Sequence, residues 1–280
     1  LDARISPLLA RLADWVASLD ANALQEVSNE AREHLGPLLR LQDRAIHQMS
    51  EADEGLYAEL GTTGSSAWGR LQSDITSQLS VEVHLPSGTK SMPIAAVRGL
   101  ATDNDLAVRK AAYEAEMQAW PTVAVACAAA MNSIKGEANT VNKRREWKAP
   151  IDASLYSNSV SNATFTAMQS AISASLPDFR RWMRVKAQLH GDTNGLSWWN
   201  LFAPLHISPG AISWDEGISL VKDAFSTYSD RLAQLVDRSI NEQWLDAEPR
   251  EGKTGGAFCM SFVEDRSLVL LNWSGSVDSA

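Results

Sequence analysis

Apolar residues recur at three- and four-residue spacing along most of this chain, and that period constrains its fold more than any other feature. Ile5, Leu8, Leu9, Leu12, Trp15, Val16 and Leu19 form the first such stripe, the pattern of a helix that buries one side. A second helical stretch spans residues 21–34, Gly36-Pro37 predicts a break, and helical character resumes over residues 38–60. Residues 61–66 read as a loop in which Ser65 or Ser66 caps a helix bearing Trp68, Leu71, Ile75 and Leu79. Helices are also expected over residues 103–120 and from Pro121 through Val141, with loops at Ala149-Pro150 and at residues 158–162. Asn162 is the expected cap of a helix through Leu176, and Pro177 the first residue of the next. Ser213-Trp214-Asp215-Glu216 is a capping box ahead of a helix carrying Ile218, Val221, Phe225, Tyr228, Leu232 and Leu235.

Two places break the helical rhythm. Val81, Val83 and Leu85 alternate, Pro86-Ser87-Gly88 turns the chain, and residues 89–92 return, which predicts a β-hairpin near residues 80–92. Near the other end, residues 255–263 read as a strand with a flexible start. Residues 264–267 form a turn, and Leu268-Val269-Leu270-Leu271-Asn272-Trp273 is a strand of the buried kind. The expected fold class is therefore mainly α, with one small hairpin and two terminal sheet strands.

The charge balance removes one class of function. Across 280 residues, 25 Lys and Arg face 34 Asp and Glu, a net of −9, whereas nucleic-acid binding rests on a clustered basic face. No apolar run approaches the roughly 18–20 residues needed to span a bilayer, so no membrane partner is expected. Cys127 and Cys259 are the only cysteines, too few for a disulfide framework, and a cytoplasmic setting is the expectation. The chain opens at Leu1 inside an amphipathic pattern and closes at Ala280 just after a strand-like run, which reads as a piece of a longer protein.

Local motifs for chemistry are sparse. His34, His47, His84, His190 and His206 never stand four residues apart, so the two-histidine face of a helical zinc site is absent and each reads as structural. There is no Gly-x-Ser-x-Gly elbow, and Gly255-Gly256 lacks the spacing of a phosphate loop. Asp103-Asn104-Asp105 reads as a helix cap rather than a calcium loop. Cys127 reads as inert core and Cys259 as a small buried strand residue. Trp198-Trp199 reads as core filling beneath the turn at residues 191–195, with a ligand groove as the competing reading.

Several strings are more particular. Ala130-Met131-Asn132-Ser133-Ile134-Lys135-Gly136, Leu201-Phe202-Ala203-Pro204-Leu205 and Gly252-Lys253-Thr254-Gly255-Gly256-Ala257-Phe258-Cys259 resemble the oligoendopeptidase F branch of the thimet-oligopeptidase-like zinc metallopeptidases. So does residues 268–272 followed by Trp273-Ser274-Gly275-Ser276. The resemblance runs from about Trp68 to Ala280. It implies a multi-helix lobe of a two-lobed peptidase whose channel admits short unstructured peptides. It also implies a zinc-activated water, held by a His-Glu-x-x-His helix that in such proteins follows the turn here formed by residues 272–276. That helix would lie C-terminal to Ala280, so no catalytic or zinc-binding residue is expected within the chain. On this reading residues 1–160 are an N-terminal helical region and residues 161–280 the start of an incomplete catalytic domain, whose missing C-terminal half is the main partner. Gly255, Gly256, Ala257, Phe258 and Cys259 are the implied substrate-binding strand, pairing with a peptide main chain; the alternative is that the glycines serve only a tight approach to the strand. Asn200 departs from the Asp that relatives often carry there, which leaves a charge-based role at this position open. A non-catalytic helical module that binds peptides or a partner is the alternative function, and a wholly helical structural protein a further one.

Overall fold

The computed structural model describes residues 2–205, 212–263 and 265–276. The chain runs through α1 (Asp2–Ala17), α2 (Ala21–Val27), α3 (Asn29–Glu33), α4 (Leu35–Ile46), α5 (Glu51–Gly61) and α6 (Ser65–Ser77). A hairpin of β1 (Ser80–Leu85) and β2 (Gly88–Pro93) follows, then α7 (Ile94–Gly99), α8 (Leu106–Ala119), α9 (Ala124–Arg144), α10 (Pro150–Ser157) and α11 (Asn162–Leu189). After α12 (Trp214–Ser226) and α13 (Asp230–Asn241) come β3 (Leu245–Asp246), β4 (Phe258–Ser261) and β5 (Ser267–Leu270). The mainly helical fold, the hairpin and the two terminal strands match the sequence reading. The expectations placed on His206, Glu264 and residues 277–280 lie outside the described residues.

The chain divides into two compact units, Leu1–Gln72 with Ala126–Ala174 and Ser73–Val125 with Ser175–Ala280. These are packing units, drawn differently from the functional division between residues 160 and 161 considered above.

In the first unit α1 packs against α4 and α5. Its buried face is Ala10, Ala13 and Val16, while Leu8, Leu12 and Trp15 of the expected stripe are exposed. The helix is where the period places it, but its small residues form the contact, and they let the neighbouring backbones come close. Gln42 ties down the end of α1 by donating from Nε2 to the carbonyls of Val16 (3.3 Å) and Leu19 (2.8 Å), the former also accepting from Leu19 N at 3.1 Å. The second expected helix is two, because Ser28 ends α2 and caps α3, its Oγ accepting from Ala31 N at 3.2 Å. The break expected at Gly36-Pro37 falls at His34, between α3 and α4, and Pro37 sits in the first turn of α4, where a missing N–H costs no hydrogen bond. Ser65 does not cap α6 with its hydroxyl. Its N–H and Oγ–H donate to Glu137 at 2.8 and 2.6 Å, and a Cβ on Gly64 would stand 2.6 Å from Glu137 Oε2. The loop expected at Ala149-Pro150 instead opens α10, with Pro150 at its first turn and Asp152 Oδ2 accepting from Ala149 N at 3.1 Å.

Pro177 also fails to divide the chain. It lies inside one continuous helix, α11, and the N-terminal cap is Ser161, whose Oγ accepts from Thr164 N at 3.0 Å, rather than Asn162.

In the second unit β1 and β2 pair antiparallel, Val81 opposite Met92 and Val83 opposite Lys90. The inward side of the hairpin joins α7 and α8 in one cluster: Val83, Ile94, Val97, Ala112, Ala115 and Ala119 are buried together. Asp105 caps α8 by accepting from Ala107 N at 2.8 Å, as the sequence suggested. The capping box of α12 is complete, Ser213 Oγ accepting from Glu216 N (3.2 Å) and Glu216 Oε2 from Ser213 N (2.7 Å). α12 ends at Ser226 and α13 continues after a short turn, the two packing side by side. Trp273, just beyond β5, meets Trp214 edge to face at 5.4 Å, and its ring lies so close to Gly217 that a Cβ there would collide with it.

Candidate functional site

The terminal sheet has the order β3-β5-β4. β5 is central, parallel to β3 (Leu245 opposite Val269) and antiparallel to β4 (Phe258 opposite Leu270, Met260 opposite Leu268). β3 was not anticipated; two residues carry no readable alternation, and its partner is more than twenty residues further along. β5 is only partly buried, with Leu268 exposed, rather than the buried strand expected. β4 is an edge strand. Among the described residues no strand pairs with its other side, and Phe258, Cys259, Met260 and Ser261 are all exposed. Cys259 is thus a free, exposed thiol, not the buried residue expected, and Cys127 is half-buried rather than core.

Of the five expected substrate-binding residues, Phe258 and Cys259 lie in β4, while Gly255, Gly256 and Ala257 form the irregular segment leading to it. Gly256 has φ +86°, a left-handed conformation that a side chain would strain. Asn272 ties this segment to the chain leaving β5, its Nδ2 donating to the carbonyls of Thr254 (3.1 Å) and Gly256 (2.8 Å). Asn272 stands in a string the sequence singled out, but nothing local to it announced this bridging role.

A charged cluster fixes the turn before that segment. Lys253 is buried, and its Nζ donates to Asp246 O (2.9 Å), Asp246 Oδ1 (3.0 Å) and Glu248 O (2.9 Å). Arg250 grips the same carboxylate with both Nη atoms at 2.6 and 2.8 Å. Hydrogen bonds from Arg250 and then Lys253 hold the Asp246 carboxyl well below its ordinary range. At the far end of β4, Arg238 of α13 forks onto Asp265 (2.6 and 3.0 Å) and donates through Nε to Glu242 at 2.7 Å. The edge strand is therefore anchored at both ends while its own edge is left uncovered.

A second arrangement lies at the one-turn 3₁₀ segment Trp198–Asn200. Asn200, 1% exposed, accepts from Arg109 Nη2 at 2.8 Å through Oδ1 and donates to Asp192 Oδ2 at 3.1 Å through Nδ2. Arg109, also buried, further donates to the carbonyls of Asp103, Asn104 and Trp199, and Lys186 Nζ donates to Leu201 O at 2.8 Å. Burial lowers the pKa of Arg109 and of Lys186. Burial would raise that of Asp192, but hydrogen bonds from the Ser197 N–H, Asn200 and the Ser197 hydroxyl outweigh it and hold the carboxyl below its usual value. A neutral amide bridges a cation and an anion because it both accepts and donates, which a carboxylate could not do beside Asp192.

This network presents the tryptophans. Trp198 is 71% exposed, which overturns the core-filling reading for it, and Trp199 packs edge to face on Tyr113 at 5.7 Å. With Tyr113, Met117 and Phe202 they line a cavity of about 450 Å³, within the size of small-ligand pockets and largely apolar.

Among the described residues no three His, Cys, Asp or Glu side chains come together as a metal site. These residues do not fit a catalytic zinc, and no metal-dependent step is assigned to them. No described helix is long and apolar enough to cross a membrane.

No family model matches the chain. Its sequence is 23% identical over 171 residues to the chromosomal oligoendopeptidase F of Lactococcus lactis subsp. cremoris, covering 61% of this chain and 28% of that protein. It is 19% identical over 285 residues to oligopeptidase PepF of Bacillus subtilis (strain 168), covering 96% of this chain and 41% of the relative. The fold superposes on the crystal structure of oligoendopeptidase-F from Enterococcus faecium with a TM-score of 0.61 at 15% identity, over 86% of this chain and 46% of the other. The chain spans less than half the length of each. In sequence and in fold, it is similar to oligoendopeptidase F proteins over that part of their length.

Proposed function

We propose that this chain is the N-terminal and central part of an oligopeptidase, and that β4 is where a short, extended peptide substrate pairs with it. One observation carries the proposal: in a chain similar to oligoendopeptidases, β4 is an exposed edge strand, anchored at both ends and approached through Gly255 and Gly256. An unpaired strand edge offers a row of N–H and C=O groups to any extended peptide, largely indifferent to its side chains. Only unstructured segments can lie flat along it, which suits short oligopeptides and excludes folded proteins. Small residues before the strand let a second backbone come near.

Residues 161–280, which hold this sheet, are on this reading the start of the catalytic domain. The catalytic zinc would be held by residues outside the chain, supplying a Lewis acid and a water of lowered pKa. The chain alone then binds but does not hydrolyse. A cytoplasmic setting completes the proposal.

Two measurements test it. Cleavage of a quenched short peptide is assayed for the chain alone and for the chain extended by the residues that follow Ala280 in its natural reading frame. Activity only in the extended protein, abolished by a chelator, is the expected result; an extended protein with no activity would favour the non-catalytic module. Separately, added peptide should slow amide exchange in residues 255–262. If those amides exchange at the same rate with and without peptide, β4 is not the binding strand.

A further inference from the structure

Positive charge without a carboxylate partner also gathers in the first compact unit. Residues of α4, α5, α9 and α10, with the segments that follow α4 and α9, line an open cavity of about 680 Å³ there. Arg40, Arg44 and Arg145 line it, and Glu54 is the one carboxylate among its lining residues. That carboxylate is already satisfied: Arg145 grips it through Nε (3.0 Å) and Nη2 (2.6 Å), and Met49 N donates to Oε1 at 3.1 Å. Arg145 and Glu54 thus cancel, and two further guanidiniums remain.

Arg40 is held in place rather than neutralised. It donates to Ser159 Oγ and to Tyr156 O (3.1 Å), and its guanidinium lies 4.9 Å from the centre of the Tyr156 ring. None of these partners is an anion. The side chain of Arg44, half-buried on the same helix one turn on, makes no hydrogen bond or ion pair among the described residues. Arg40, at the exposed rim, and Arg44, half-buried, thus set two guanidiniums one helical turn apart with no carboxylate partner, and their mutual repulsion favours an anion that bridges them. An anion between them removes that repulsion.

The remaining wall is ring-rich. His47 stacks on Trp147 at 3.5 Å and 16°, and Tyr156 tilts against Trp147 at 5.6 Å. Pro37, Leu41 and Ala153 add apolar surface. We infer that this cavity binds a small organic phosphomonoester, with the phosphate between Arg40 and Arg44 and the organic body against the Trp147 and Tyr156 side. A carboxylate is planar and is satisfied by one guanidinium fork, whereas a tetrahedral phosphate presents oxygens to two at once. The cavity is also too roomy for a bare anion, which is why an organic body belongs in it.

Adenosine monophosphate is a suitable probe, titrated calorimetrically into the 280-residue chain, with adenosine and citrate as controls. Saturable binding of adenosine monophosphate and none of adenosine is expected. Arg44→Ala and Arg40→Ala should each weaken binding at least about tenfold, the weight of one charge-assisted contact. Arg44→Lys, which keeps the charge without the fork, should fall in between. Arg44 supports no other group, so Arg44→Ala should keep the parent circular dichroism spectrum. The proposal is overturned by absence of binding, by equal binding of adenosine, by binding that survives Arg44→Ala, or by citrate binding as tightly as the phosphate.

Discussion

Asn200 shows how much a single uncharged side chain can organise. It is buried between Arg109 and Asp192 and satisfies one group on each. Asn200→Ala would leave a buried guanidinium and a carboxylate each short of a partner, a loss of about 2–3 kcal/mol in stability. Urea denaturation would show it as a lower midpoint with an unchanged slope. Asn200→Asp should cost at least as much, despite the nearby Arg109, because the new carboxylate faces Asp192 and cannot donate to it. Gly217 makes a different point at the same scale. Its missing Cβ is the space that the Trp273 ring fills, and that ring is backed by Trp214. Gly217→Ala should therefore destabilise by about 1–3 kcal/mol through overpacking, although alanine is the better helix former. A gain in melting temperature would show that Trp273 is free to move aside.

At the scale of elements, α11 runs through Pro177 as one helix. A prolyl nitrogen has no hydrogen for the carbonyl of residue 173, and its ring crowds that carbonyl. Pro177→Ala should raise stability by about 2 kcal/mol, the interior-proline penalty less the entropy that proline removes from the unfolded chain. Calorimetry would register it as a higher melting temperature, and a lower one would show that the proline is needed where it is. β4 presents the converse case. It is short and weakly covered, and what holds it lies at its ends: Asn272 on the segment before it, and Arg238 on the turn after it. Such a strand keeps its position while its edge stays available, which is what pairing with a passing peptide requires.

Over the whole molecule, net negative charge coexists with carboxylates that are individually stabilised. Asp246, pulled down by Arg250 and Lys253, and Asp192, held down by Ser197 and Asn200 against its burial, both ionise more readily folded than unfolded. The unfolded chain therefore binds protons first as pH falls. The stability these groups supply is fully present above the ordinary carboxylate range, about pH 4, and is lost progressively below it. Melting temperatures measured from pH 7 down to pH 3 should drop through that window. Asp246→Asn should melt lower at pH 7 and lose less on acidification, and parallel curves for the two proteins would rule out Asp246 as a contributor.

The dominance of helix, the hairpin at residues 80–92, the Ser213–Glu216 capping box and the two terminal strands were legible in the sequence, because each depends on neighbours within a few residues; the helix boundaries at Ser28, Pro150 and Pro177 were not. The resemblance to oligoendopeptidase F was legible too, from short strings whose roles were not. The tertiary structure alone decided which side of α1 is buried, since Ala10, Ala13 and Val16 face α4 and α5 while Leu8, Leu12 and Trp15 stay exposed. It alone made β4 an edge: strand order depends on β3, whose two residues carry no periodic signal, pairing across more than twenty positions. Arg109 and Asn200 stand ninety-one positions apart, as do Glu54 and Arg145. Periodicity and capping are local properties of a chain; a bridge between a buried cation and an anion is a property of where distant segments meet.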